Sequence, residues 1–173
     1  MQGRGIRKYL AGEAGFTLPE ILVVLVIIGV LAGVATISLN RNMAHWELRT
    51  AARTMVSDLR AARDLGLERG VTTRVYLYRV SSPMYYKLFY QEGTNWIEKK
   101  RVELPGRVRF AAQYIDSSGF TKDCQEEFRF SSSGNGVPTY SGTARLENTK
   151  GESWYVIVSS LTGRVRESKD PPP

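Results

Sequence analysis

Cysteine and histidine are almost absent from this chain. Cys124 is the only cysteine and His45 the only histidine among 173 residues. One cysteine excludes an intrachain disulfide. An exported domain usually carries paired cysteines or none, so Cys124 reads as a small, part-buried apolar residue rather than a redox site. One histidine leaves no His/Cys/Asp/Glu grouping at metal-ligand spacing and no Ser/His/Asp set beyond chance. We therefore expect no catalytic residue, no metal site and no cofactor, and an anchored enzyme has no visible support. His45 reads as an ordinary helix residue. Proline is missing between Pro19 and Pro83, so nothing in that interval breaks a helix. Charge is missing between Glu20 and Arg41.

That uncharged stretch contains the longest apolar run, ILVVLVIIGVLAGVATISL at 21–39. As a helix it spans roughly 28 Å, close to the thickness of a bilayer hydrocarbon core. A buried core helix shows one polar face; this run is apolar all round. Glu20 stands at its N-terminal edge. Two readings fit a carboxylate there: it snorkels in the first helical turn, where the helix dipole favours an anion, or it waits for a cation. Gly29 and Gly33 form a GxxxG spacing, which permits close helix approach and is also ordinary glycine use in a membrane helix.

Ahead of the run lies a short basic segment with Arg4, Arg7 and Lys8. A secretory signal peptide would be cut after its apolar run at a small-x-small site; here Asn40, Arg41, Asn42 and Met43 follow instead. The anchor therefore stays with the protein. The basic start favours a cytoplasmic leader, although Arg41, Arg49 and Arg53 on the far side weaken the asymmetry.

Helical periodicity continues beyond the run. Leu48, Ala52, Met55, Leu59 and Ala62 recur at steps of four and three, one apolar stripe. Arg49, Arg53, Asp58, Arg60, Arg63 and Asp64 take the other faces. The pattern predicts one helix over 16–69, about 80 Å long, ending at Gly70 as its C′ residue. Its second half, 41–70, packs the stripe on a sheet. From 71 the pattern turns to strands rich in aromatic and β-branched residues between turn signals. Strands are expected at 71–80, 85–91, 96–104, 108–111, 127–131, 143–147 and 153–159, then a hairpin through Gly163 into 164–167. Residues 112–126 and 132–142 read as loops, and the prolines at 171–173 as a frayed tail. The organisation is a leader at 1–15, a membrane half of the helix at 16–40, its amphipathic half at 41–70, a β domain at 71–170 and the tail. The fold class is α+β, a long N-terminal spine helix packed on a C-terminal antiparallel sheet.

Net charge is +7 over the whole chain and about +5 without the leader. That is compatible with a nucleic-acid or anionic-surface contact and equally with a solvated basic surface. Arg164 and Arg166, two apart on an expected strand, point to one face. Lys169 and Arg145 are candidates to join them, with Glu167 and Asp170 diluting the charge.

Gly15-Phe16-Thr17-Leu18-Pro19-Glu20, with its basic leader and spanning run, resembles the class III signal of type IV pilins and type II secretion pseudopilins. The resemblance implies cleavage by prepilin peptidase between Gly15 and Phe16, methylation of the Phe16 amine, and a role for Glu20 in assembly. Partners would be other pilins or pseudopilins in a filament. The site would be the bacterial inner membrane, crossed once, with the globular domain outside the cytoplasm. Family members commonly place Ile or Leu where Pro19 stands; proline is tolerated there because its missing N–H has no intrahelical partner. Many major pilins close a C-terminal loop with a disulfide, which this chain cannot form. A looser likeness covers Ala51-Ala52-Arg53, Ala61-Ala62-Arg63, Phe128, Phe130, Gly134, Gly163, Arg164 and Val165. It is similar to the GspH/FimT-like minor pilins and pseudopilins, which divide between type II secretion and type IV pili. Some FimT-like members bind DNA for uptake through a Gly-Arg-x-Arg motif, and Gly163-Arg164-Val165-Arg166 is similar to it. The implied function is a minor pilin or pseudopilin subunit, with a DNA-binding FimT-like subunit as the alternative.

Overall fold

A computed structural model describes residues 16–131 and 136–172 of the chain, with the backbone alone for 34–41. The leader, Gly15 and Gly134 lie outside the described residues. One helix, α1 (Leu18–Arg69), precedes eleven strands. The chain divides into two units, Met1–Asn40 and Arg41–Pro173.

The helix starts where its sequence permits. Thr17 accepts hydrogen bonds through its carbonyl from the Glu20 and Ile21 amides at 3.1 and 3.2 Å. Pro19, in the first turn, has no N–H to leave unpaired. Glu20 is the acidic residue of that turn. At the other end Gly70 takes φ 64°, and the Val71 amide donates back to the Gly66 carbonyl at 3.2 Å. This is the six-to-one bond of a Schellman C-cap, which a residue without a Cβ accommodates at lowest cost.

In the second unit, β1 (Thr73–Tyr78), β2 (Tyr85–Glu92), β3 (Asn95–Glu103), β7 (Glu127–Phe130) and β8 (Pro138–Tyr140) form one antiparallel sheet in the order β3-β2-β1-β7-β8. A second sheet runs β11-β10-β9-β4, from β4 (Val108–Phe110), β9 (Gly142–Asn148), β10 (Ser153–Val158) and β11 (Val165–Ser168). A small hairpin, β5 (Gln113–Ile115) and β6 (Thr121–Asp123), stands apart. The helical stripe Leu48, Ala52, Met55, Leu59 and Ala62 is buried in one cluster with residues of both sheets, among them Val75, Leu77, Phe128, Phe130, Leu146 and Val156. Strand alternation supplies these residues: Val75 and Leu77 face in, while Arg74 and Tyr76 face out.

A charged group is buried at the edge of this core. Asp58 on α1 is buried; it accepts from the Tyr86 hydroxyl at 2.6 Å and pairs with Lys100 Nζ at 2.6 Å, tying the helix to β2 and β3. Burial, then the hydrogen bond to Asp58, pushes the Tyr86 phenol well above its usual range. Asp58→Ala is expected to destabilise the domain by about 3 kcal/mol, since it orphans a buried hydroxyl and removes an ion pair. Tyr86→Phe added to that variant should recover part of the loss by deleting the orphan. Urea denaturation of the two proteins checks both statements.

Three expectations on the fold are corrected. Residues 112–126 are not a plain loop. Asp116 Oδ1 accepts from the Ser118 and Phe120 amides at 2.9 Å each, and its Oδ2 pairs with Lys122 at 3.0 Å, closing the β5–β6 hairpin. The Lys122 hydrogen bond, then the Phe120 amide, holds the Asp116 carboxyl below its usual range. Within 132–142, of which 132–135 lie outside the described residues, β8 forms by pairing with β7. The proline tail is not frayed as far as it is described. Pro172 is buried, and its carbonyl accepts from the Ser117 amide at 3.1 Å. Proline lacks the donor but keeps the acceptor.

Candidate assembly segment and basic groove

The first unit offers an apolar surface with no polar face. Every large hydrophobic side chain from Ile21 to Leu31 is exposed, between 47% and 65%. Phe16 and Leu18 ahead of them are 76% and 75% exposed. A fold normally buries the apolar face of its helices; here no face of this stretch is covered by the other described residues. Glu20 is exposed and forms no ion pair among the described residues. Among the described residues no helix is long and apolar enough to cross a membrane. The expected span runs to 39 or 40, and the side chains of 34–41 lie outside the description.

The second unit carries the basic residues expected near the C-terminus. β10 and β11 are joined by residues 159–164, so Arg164 lies in the turn just ahead of β11 rather than on the strand expected for it. Gly163, at φ 63°, donates its amide to the Ser159 carbonyl at 3.0 Å, and the Ser159 amide donates to the Arg164 carbonyl at 3.0 Å. Val165 then faces the core, and Arg164 and Arg166 face out on the opposite side. Both guanidinium groups line a groove of about 520 Å³ with Tyr114, Thr143, Ile157 and Pro172. Strand register explains the assembly: Arg166 sits opposite Ile157, and Ile157 opposite Thr143, one row across β11, β10 and β9.

The structure separates the other candidate charges. Arg145 faces the same side but is held by Glu147 Oε2 at 3.0 Å, Ser153 Oγ at 3.0 Å and the Gln113 carbonyl at 3.2 Å. Lys169 is exposed and is not among the groove residues. Glu167 does not dilute the groove: alternation turns it to the helix side, where Arg53 Nε donates to it at 3.2 Å. Arg60 donates to the Val165 carbonyl at 2.9 Å, fixing β11 to α1. Cys124 is buried beside Tyr114 and Tyr155, and burial pushes its thiol above the usual range. His45 contacts Glu152 at 3.4 Å and meets the Trp154 ring edge-on at 6.3 Å. The sequence reading found the two arginines but not the groove. Its other walls come from the start of β9, the end of β10, the turn after it, and the corrected hairpin and tail, which no local signal brings together.

These features define an architecture: an N-terminal helix with an exposed apolar stretch, and a helix packed on antiparallel sheets, as in pilin-like folds. The prokaryotic N-terminal methylation motif matches residues 10–36. The fold is similar to the crystal structure of the minor pseudopilin EPSH from the type II secretion system of Vibrio cholerae. The TM-score is 0.51 at 13% identity, covering 73% of this chain and 95% of that one. No curated protein matches the sequence. Motif and fold together support the type IV pilin and type II secretion pseudopilin family for this chain.

Proposed function

We propose that this chain is a minor pilin or pseudopilin, a structural subunit rather than an enzyme. Prepilin peptidase cuts it between Gly15 and Phe16, and the new Phe16 amine is methylated. Residues 16–40 hold it in the bacterial inner membrane, with the β domain outside the cytoplasm, until it joins other pilins or pseudopilins in a type IV pilus or a type II secretion pseudopilus. The observation that carries this reading is the helix whose apolar side chains are exposed all round from Ile21 to Leu31. Such a surface is stable only in an apolar surrounding, first lipid and then neighbouring helices. The methylation motif over 10–36 supports the processing step.

Mass spectrometry of membrane-extracted protein tests it. The expected N-terminus is N-methylated Phe16. An intact Met1 in cells with a working prepilin peptidase overturns the reading and leaves an ordinary anchored domain.

A further inference from the structure

The groove beside β11 has a composition that points to its occupant. Among the described residues, neither Arg164 nor Arg166 forms an ion pair or a side-chain hydrogen bond. Among the described residues no carboxylate lines the groove; its polar wall consists of hydroxyls such as Thr143, Ser159 and Thr162. Other arginines of this domain without a carboxylate are engaged otherwise, Arg60 by the Val165 carbonyl and Arg74 by the Phe89 and Trp96 rings, while Arg53, Arg101, Arg109 and Arg129 each have a partner carboxylate. Two unanswered guanidinium groups in one concavity, with Glu167 drawn off to Arg53, leave a site complementary to negative charge.

The rest of the lining is apolar. Tyr114, Ile157 and Pro172 contribute to it, and Leu161, 85% exposed, stands among the same residues at the tip of the β10–β11 turn. An exposed leucine beside a floor of aromatic and branched side chains offers contact to another apolar side chain. A nucleic-acid backbone has no use for it. Nucleic-acid binders gain affinity by neutralising many phosphates in a row, and this groove presents two cations.

We propose that this groove docks an extended, acidic segment of another protein, one that alternates carboxylate and apolar side chains. The carboxylates engage Arg164 and Arg166, and an apolar residue between them packs against Leu161 and Ile157. The proposal rests on the reading of the chain as an exposed filament subunit, which needs protein partners. The mass-spectrometric test above fails or succeeds independently of it.

The test uses full-length protein in detergent and fluorescence anisotropy at low salt. The probe is a labelled ten-residue peptide alternating Glu and Leu. The comparison probes are an all-Glu peptide of equal length, the alternating peptide with Lys for Glu, and a labelled 20-base-pair DNA duplex. The expected result is binding of the Glu/Leu peptide above both peptide controls. Arg164→Gln and Arg166→Gln should each weaken it about tenfold, and Leu161→Ser, at an exposed turn position that the fold does not use, several-fold. Equal binding of the all-Glu peptide, or no effect of Leu161→Ser, overturns the apolar half of the proposal. Binding of the Lys peptide as tightly as the Glu/Leu peptide, or none of either, overturns it entirely. Tighter binding of the duplex, lost in both arginine variants and unchanged in Leu161→Ser, assigns the groove to DNA instead.

Discussion

Gly163→Ala is expected to lower the melting temperature of the domain by roughly 10 °C. Two costs combine. Gly163 sits at φ 63°, where a Cβ costs about 1–2 kcal/mol. The added carbon would also overlap the Gly136 carbonyl oxygen. Both partners are backbone, so no side chain can swing away, and the overlap adds about 2 kcal/mol or more. The turn through Gly163 sets the register of β11, so Arg164 and Arg166 should lose their common placement as well. Gly151→Ala isolates the first cost. Gly151 has φ 80°, but a Cβ there meets nothing within 4 Å. Its substitution should cost about 1–2 kcal/mol, the conformational part alone. Thermal melts of the two variants side by side check the argument. Equal losses would mean that the approach of Gly136 to Gly163 does not constrain the fold.

The same contact shows why some of this structure is written locally in the sequence and some is not. The buried stripe from Leu48 to Ala62 follows from a period that one helix imposes on its own residues. The C-cap at Gly70 and the turn at Gly163 follow from residues that tolerate positive φ. The major hairpins follow from aromatic and β-branched runs between turns. The β5–β6 hairpin escapes because each strand has three residues, with only Tyr114 facing in, and its closure depends on Asp116 reaching two amides and Lys122. The burial of Pro172 escapes because it depends on an amide some fifty residues upstream, at Ser117. The groove draws on both misread segments. Its two arginines were legible as a pair, but whether Glu167 would neutralise them depended on strand phase and on Arg53 across the chain. The surface of the first unit was legible for the opposite reason. No long-range contact decides it, and the absence of charge over 21–39 is sufficient.

Glu20→Ala is expected to cut incorporation into filaments by about a hundredfold while leaving processing and the folded domain unchanged. The Glu20 side chain is exposed and bonds to nothing among the described residues, so removing it takes no support from the fold. The cost arises in assembly. In the proposed filament the exposed apolar helix would leave lipid for a bundle of neighbours, and the cationic, methylated amine of Phe16 on each subunit would enter a medium of low polarity. It then needs an anion nearby. In the proposed filament that anion is Glu20 of an adjacent subunit. Deleting one member of a buried ion pair costs about 3–5 kcal/mol, because the other charge is left without a partner. At 1.4 kcal/mol per factor of ten, this is a hundredfold or more in the assembly equilibrium. Glu20→Gln should fail nearly as badly, since it keeps the shape and loses the charge. Glu20→Asp should assemble in part, keeping the charge at shorter reach. The measurement is the ratio of subunit in sheared filaments to subunit in the membrane fraction, with the N-terminus checked by mass spectrometry. Normal incorporation of Glu20→Ala with Phe16 correctly processed would show that the carboxylate only snorkels at the membrane edge, and that helix packing alone draws the subunit in.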